Sequence, residues 1–136
     1  MDLKKIFQVS ASGMNVQSER LKVIAENIAN ADSLGKTAGS KPYQRKLITF
    51  KSELDRANDV ETVRVKRIMK DQSDFGTRYD PHHPAANADG YVLTPNVNPL
   101  IELMDMREAQ RTYEANLNVI DTTRTMLQRT IQILQA

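Results

Sequence analysis

The residue types best suited to chemistry lie in one short segment, Asp80-Pro81-His82-His83, with Asp89 six residues further on. Imidazole and carboxylate groups are common ligands of transition metals. The two histidines are adjacent, however, so their side chains point in different directions. Pro81 and Pro84 exclude regular secondary structure around them. We therefore predict an exposed loop that holds no metal, and we expect no cofactor.

Other catalytic arrangements are missing from the sequence. The chain of 136 residues contains no cysteine, which excludes disulfides, thiolate catalysis and zinc–cysteine sites. It has no Gly-x-Ser-x-Gly motif to present a nucleophilic serine, and no glycine-rich motif that would bind phosphate. We therefore expect no catalytic residues, and we predict that the protein is not an enzyme.

Charge is unevenly distributed along the chain. In total 19 Lys and Arg residues nearly balance 17 Asp and Glu residues, but residues 41–70 carry a net charge of +5 and residues 71–90 one of −3. A basic segment could bind nucleic acid or another anionic polymer. Its aromatic residues Tyr43 and Phe50 are separated by apolar residues, which favours a core-facing position over a base-stacking surface. A solvated strand face is the preferred interpretation, and nucleic acid is not an expected partner.

Two long helices are predicted on either side of this middle region. Apolar residues recur at spacings of three and four from Asp2 to about Ala31, and again from Leu100 to Gln135. Gly13 weakens the first prediction, because glycine inside a helix costs about 1 kcal/mol relative to alanine. Pro99 stands just outside the start of the second helix. The residues that we expect to pack between subunits along these helices are Phe7, Met14, Leu21, Ile24, Ile28, Leu103, Met106, Tyr113, Leu117, Ile120, Leu127, Ile131 and Leu134.

Three strands are predicted between the helices, at Tyr43–Phe50, Val60–Ile68 and Tyr91–Leu93. In the second of these, Val63 and Val65 alternate with charged residues, which is typical of a half-exposed strand. The third follows the turn signal Ala88-Asp89-Gly90.

The expected fold is mainly α with a small β-rich insert, its long terminal helices packed as a coiled-coil-like pair. Residues 1–35 would form the N-terminal helix of an inner domain, residues 36–98 the β-rich region and an extended loop, and residues 99–136 the C-terminal helix. A helix pair alone would leave several apolar residues uncovered, and exposed apolar surface of this kind marks a site for partners. These residues are Val9, Val16, Val23, Val119, Met126 and Ile133.

The N-terminal segment contains two lysines without a following apolar run, so we do not expect it to act as a cleavable secretory signal. No segment has the roughly 20 apolar residues that a membrane span requires. The residues alone therefore predict a helical assembly protein that is not membrane-spanning.

Several segments resemble bacterial flagellar proteins. Ala11-Ser12-Gly13-Met14 and residues 20–33 resemble the N-terminal signature of the flagellar rod, hook and hook-associated (axial) proteins. Residues 79–98 and 111–119 are similar, more specifically, to proximal rod proteins of the basal body. The residues that carry this family pattern are Asn27, Asn30, Asp80, Pro81, Pro84, Asn87, Gly90, Tyr91, Pro95, Asn96, Val97, Tyr113 and Asn116.

The resemblance implies a structural subunit of the periplasmic rod, the drive shaft that transmits torque from motor to hook and encloses the export channel. It also implies export through the flagellar type III apparatus without a cleaved signal peptide. The implied partners are other rod proteins and copies of the same chain, which meet through the terminal helices in a helical assembly. One alternative remains open: a coiled-coil adaptor, or an anionic-polymer-binding module that uses the basic face of residues 41–70.

Overall fold

The computed structural model describes residues 2–136 and contains two long helices separated by four strands. This confirms a mainly α fold with a small β insert. The elements in chain order are α1 (Leu3–Ala29), β1 (Lys46–Asp55), β2 (Val60–Lys70), β3 (Gly76–Tyr79), β4 (Tyr91–Thr94) and α2 (Pro99–Gln135).

Side-chain caps explain where the helices begin. At the start of α1, the Asp2 carboxylate accepts a hydrogen bond from the Lys4 amide at 3.1 Å. At the start of α2, Asn98 Oδ1 accepts one from the Leu100 amide at 3.1 Å. Pro99 is therefore the first helical residue, and not a residue outside the helix as the sequence indicated. A proline at this position loses no helical hydrogen bond.

The strands form two separate two-stranded sheets. β1 and β2 are joined by a four-residue turn at 56–59, a length that connects antiparallel strands. β3 and β4 are antiparallel, with Tyr79 opposite Tyr91 and Gly76 opposite Thr94. The sequence did not predict β3, because all four of its residues are exposed and show no alternation. The loop predicted around the prolines of residues 80–87 has no regular structure, as expected.

The chain divides into two compact units, each assembled from separate segments. The first unit contains the N-terminal segment up to Leu21, together with Thr49–Arg67 and Arg107–Ala136. The second unit contains Lys22–Ile48 and Ile68–Met106.

In the first unit, α1 and α2 approach closely at Gly13. A Cβ atom on Gly13 would lie 3.0 Å from Asn116 Nδ2, so glycine permits this approach although it weakens the helix. Arg20 forms an ion pair with Glu108 at 3.6 Å. The pairing of residue 13 with 116 and of residue 20 with 108 makes the two helices antiparallel in this unit. The end of β1 is attached to α1 by a hydrogen bond from Gln8 to Asp55 at 2.8 Å.

Burial corrects three of the expected faces. Val16 and Val23 were predicted to be uncovered, but each is only 4% exposed. In β2 the buried residues are Val60 and Thr62, whereas Val63, one of the two apolar residues in the predicted alternation, is exposed. Phe50 in β1 is also exposed and does not face the core. Val63 and Phe50 are exposed because a two-stranded sheet buries a residue only where another element packs on it.

Candidate functional site

A cluster of polar side chains lies at the centre of the second unit. It consists of Asn27, Arg45, Asp71, Asn96 and Glu102, and we call it the polar clasp. Asn27 and Glu102 are each only 1% exposed. Since a buried polar group is costly unless it is hydrogen-bonded, these residues have to satisfy one another.

Asn27, near the end of α1, makes four hydrogen bonds. Its Oδ1 accepts from the Lys46 amide and from the Tyr43 hydroxyl, each at 2.9 Å. Its Nδ2 donates to the Lys46 carbonyl at 3.0 Å and to Glu102 Oε2 at 3.2 Å. The carboxamide thus bonds both backbone groups of Lys46, as a neighbouring strand would. It holds the first residue of β1 against α1.

Arg45 and Glu102 are the charged pair of the polar clasp. Arg45 Nε donates to Glu102 Oε1, and its Nη1 lies 3.3 Å from Asp71 Oδ2. Burial by itself would lower the pKa of Arg45, but the hydrogen bonds and negative charges of Glu102 and Asp71 outweigh it and raise that pKa. Glu102 also lies in the first turn of α2, where the helix dipole favours a carboxylate.

Asn96 completes the polar clasp from the segment that precedes α2. Its Oδ1 accepts from the Arg45 amide at 2.8 Å, and its Nδ2 donates to the carbonyls of Asp71 and Ser73 at 3.2 and 3.1 Å. The Ser73 amide donates to the Asp71 carboxylate at 2.9 Å. This bond, the Ser73 hydroxyl and the neighbouring Arg45 charge lower the pKa of Asp71 despite its partial desolvation. The polar clasp therefore joins the end of α1, both ends of the β1–β2 hairpin and the start of α2.

A turn linking β3 to β4 accounts for more residues of the family pattern. The Asp80 amide donates to the Gly90 carbonyl at 2.9 Å. Gly90 has a φ of 82°, and a Cβ atom there would lie 2.9 Å from the Tyr79 ring and 3.1 Å from Pro81. Only glycine satisfies both the left-handed backbone and this close contact.

The rest of this turn is organised by Asn87. Its Oδ1 accepts from the amides of Asp89 and Tyr91 at 3.0 and 2.9 Å. His83 Nδ1 accepts a hydrogen bond from the Ala85 amide at 3.1 Å, so this ring nitrogen is occupied by a contact within the loop. Within residues 2–136 no three potential metal ligands come together.

The remaining residues of the family pattern occupy different positions. Asn30 bonds locally, with its Nδ2 donating to the Glu26 carbonyl at 2.9 Å. Pro95 is buried, Val97 is half-buried and Pro84 is exposed. Tyr113 is half-buried, and Asn116 lies against Gly13 as described above.

The residues predicted to pack between subunits differ in exposure. On α1, Ile24 is buried and Phe7, Met14, Leu21 and Ile28 are half-buried. On α2, Met106, Tyr113 and Ile120 are half-buried, whereas Leu103, Leu117, Leu127, Ile131 and Leu134 are exposed. The apolar face of α1 is thus largely covered within the chain, and that of α2 is largely open.

Further large apolar side chains of α2 are exposed that the heptad rows did not include. Leu100, Ile101 and Met104 are 67%, 51% and 65% exposed. The sequence carries a signal for them, since the first turns of α2 have more apolar residues than a single helix face can hold.

An open cleft of about 510 Å³ lies between α1 and β2 in the first unit. Its apolar lining includes Ala11, Val16, Val63 and Val65. Its ionisable groups are Glu19 and Arg64, and Arg64 forms an ion pair with Glu53 at 3.3 Å. This lining pairs no nucleophile with a general base, so the cleft is suited to packing rather than to catalysis.

Neither helix in the described part of the chain combines the length and the apolar character that crossing a membrane requires.

Comparison with known proteins identifies the family. Residues 7–35 match the model of the "Flagella basal body rod protein" family, and residues 88–133 match the "Flagellar basal body rod FlgEFG protein C-terminal" model. The flagellar basal-body rod protein FlgC of Agrobacterium fabrum is 53% identical over 129 residues, which cover 95% of this chain and 93% of that protein. FlgC proteins of Bacillus subtilis and Salmonella typhimurium are 36% and 35% identical, covering 92% and 99% of this chain and 93% and 100% of their own lengths. The resemblance found in the sequence is therefore confirmed. The protein is a structural component of the basal body that assembles with other rod components, and it is not an enzyme. The chain belongs to the FlgC family of flagellar basal-body rod proteins.

Proposed function

We propose that this chain is a subunit of the proximal rod, the part of the drive shaft that transmits torque from the motor towards the hook. Residues 1–35 and 99–136 would form an inner domain, packed as a coiled-coil-like layer around the export channel. Residues 36–98 would form the outer β-rich region. The observation that carries this proposal is the open apolar face of α2 in the isolated chain.

The exposed side chains of α2 are numerous enough to require partners. In its C-terminal part, Met126, Ile133 and Leu134 are 56%, 75% and 80% exposed. Burying one such side chain contributes about 1.5–3 kcal/mol. A helix that presents several of them gains most of this free energy only when neighbouring subunits cover it. We therefore propose that α2 packs against other rod proteins and against copies of this chain.

Torque transmission follows from the number of such contacts. A rigid shaft needs interfaces that resist shear in every turn of the assembly, and close-packed apolar side chains provide this because interiors have low compressibility. Load would then be shared among many helix contacts, so no single bond would limit the strength of the rod.

We further propose that the chain reaches the periplasm unfolded, through the flagellar type III export apparatus and without cleavage of a signal peptide, as the resemblance to axial proteins implies. The absence of cysteine agrees with this route, since an unfolded chain entering an oxidising space forms no wrong disulfides.

The basic face of residues 41–70 gives little support to an anionic-polymer module. Arg45 is bonded to Glu102 within the polar clasp. Lys46 pairs with Glu26 at 2.7 Å, and this contact lowers the pKa of Glu26 and raises that of Lys46. Several of the charges that made the segment basic in sequence are thus neutralised by carboxylates of the same chain.

The proposal is tested by deletion and complementation in the source bacterium. Deletion should abolish swimming and leave basal bodies without a complete rod, and the wild-type chain should restore both. The double variant Ile133→Ala/Leu134→Ala should incorporate poorly into isolated basal bodies, whereas the matched control Gln132→Ala/Gln135→Ala should incorporate normally. A motile deletion strain, or normal incorporation of the double variant, would contradict the proposal.

A further inference from the structure

A pair of tyrosines lies on the solvent-facing side of the β3–β4 hairpin in the second unit. Tyr79 and Tyr91 are directly opposite each other in the register, with ring centroids 5.3 Å apart and planes at 66°. They are 65% and 47% exposed. Leu93 lies two residues beyond Tyr91, on the same side of β4, and is 39% exposed. We call Tyr79, Tyr91 and Leu93 the tyrosine face.

The tyrosine face is held rigidly. Val92, which points to the opposite side of β4, is only 1% exposed and fixes the strand to the core of the second unit. The Gly90 turn packs against the Tyr79 ring, and Asn87 bonds the Tyr91 amide. Exposed, pre-organised tyrosines are typical of residues that dominate the binding energy of protein interfaces. No part of the polar clasp uses these rings.

The charge beside the tyrosine face indicates a basic partner. Asp89 is exposed two residues before Tyr91, and the structure of residues 2–136 gives its carboxylate no ion pair. Arg78 and Asp80 pair with each other at 3.5 Å and so contribute no net charge. Aromatic faces attract the cations of Lys and Arg, and a nearby carboxylate strengthens that attraction.

The chain itself carries a cation of the matching chemistry on β2, in the first unit. Arg67 is exposed, and it has no ion pair within the described residues. Arg64, three residues before Arg67, differs because it is paired with Glu53. The Arg67 carbonyl accepts from the Thr49 hydroxyl at 3.3 Å, which fixes the backbone and leaves the guanidinium outside.

We propose that the tyrosine face and Asp89 of one subunit bind Arg67 of an adjacent copy of this chain. This inference rests on the proposed function as a rod subunit. Two different surfaces meet in such a contact, so it is heterologous: it repeats head-to-tail and either closes into a ring or continues as a helix. Both geometries suit a rod built from many copies, whereas a self-complementary contact would stop at a dimer.

Cysteine cross-linking tests this contact directly, because the chain has no cysteine of its own. Two differently tagged copies are expressed together, one carrying Asp89→Cys and the other Arg67→Cys, and isolated basal bodies are oxidised. Each copy has one thiol, so every disulfide joins two subunits. The control pairs Asp89→Cys with Lys41→Cys, another exposed basic position in the same charged segment. We expect the Asp89–Arg67 pair to give at least about ten times as much cross-linked dimer as the control, a preference equivalent to about 1.4 kcal/mol.

Charge exchange provides the second arm of the test. Asp89→Arg alone and Arg67→Asp alone should each reduce incorporation into basal bodies, because like charges then face each other across the contact. The double variant Asp89→Arg/Arg67→Asp restores opposite charges and should recover incorporation. Recovery in the double variant excludes misfolding as the cause of the single-variant defects.

The outcomes separate this inference from the proposed function. A tagged wild-type chain that is absent from basal bodies would contradict the rod assignment itself. Alternatively, the chain is present while Asp89–Arg67 cross-linking does not exceed the control, or while charge exchange does not recover incorporation. Either result would overturn the proposed interface alone. Arg67→Asp variants that incorporate normally but no longer bind peptidoglycan fragments would also overturn it, in favour of an anionic-polymer site.

Discussion

Replacement of Asn27 by alanine tests the polar clasp most directly. The side chain is 1% exposed and makes four hydrogen bonds, two to the backbone of Lys46 and one each to Tyr43 and Glu102. Each bond contributes about 1 kcal/mol net, and a buried partner left unsatisfied costs about 1–3 kcal/mol. Loss of all four therefore predicts destabilisation by about 4 kcal/mol or more.

That cost is large compared with the stability of a small protein, which is about 5–15 kcal/mol. Urea unfolding followed by far-UV circular dichroism should show a much lower midpoint for Asn27→Ala. The slope of the transition should not change, because the surface exposed on unfolding remains the same.

Asn30→Ala is the matched control for this experiment. Asn30 lies three residues away, and its hydrogen bonds are local, to Glu26 and Ser33. It should cost about 1 kcal/mol. If Asn27→Ala stays within about 1 kcal/mol of the wild type, or if Asn30→Ala costs as much, the polar clasp does not hold the fold together.

Three further predictions concern other parts of the chain. Gly13→Ala should stabilise by clearly less than the roughly 1 kcal/mol that helix propensity alone favours, because the new Cβ would lie 3.0 Å from Asn116 Nδ2. Asn116→Ala should release the full gain in a double-mutant cycle of urea unfolding, and an additive cycle would refute the contact. The lowered pKa of Asp71 means that its carboxylate stabilises the fold above its unfolded pKa of about 4 and loses this effect as pH falls through the lower folded pKa. The melting temperature of Asp71→Asn should therefore fall less than that of the wild type between about pH 5 and about pH 3, and an equal fall would refute the linkage. In dilute monomer, amide hydrogen exchange should be slow in residues 22–29, because the polar clasp holds them. It should be fast in residues 124–135, where every side chain is exposed. Equal protection of the two segments would contradict the open apolar face of α2.

The helices could be predicted from sequence because their signal is local and repeated. Spacings of three and four extend over the whole of α1 and α2, so one weak position does not break the pattern. Gly13 is the example. Its low helix propensity argues against a helix, but α1 continues through it, and the missing side chain leaves room for Asn116 of α2. The caps at Asp2 and Asn98 then fix the first turns to within a residue of the predicted starts.

The polar clasp could not be predicted in the same way, because its partners are distant in sequence. Asn27 and Glu102 are 75 residues apart, and Arg45 and Glu102 are 57 apart. The sequence shows Asn27 only as part of a family pattern. A physical signal does exist, since Asn27 follows the apolar Ile24 at helical spacing and so lies on the covered face of α1. A polar residue in such a position needs a partner, but its spacing does not say which one.

Polar and apolar contacts therefore serve different purposes in this chain. Apolar packing is strong but non-directional, so two amphipathic helices can slide past each other by a heptad at modest cost. The hydrogen bonds of Asn27 and Glu102 have fixed geometry and are lost by any such shift, so in the second unit they set the register of α1, β1 and the first turn of α2. The apolar side chains left exposed on α2 are then available for other subunits. Changes in the polar clasp should reduce folding and assembly together, whereas changes to exposed residues such as Leu134 should reduce assembly alone. That separation is what a subunit needs if its own fold is to be complete before its neighbours arrive.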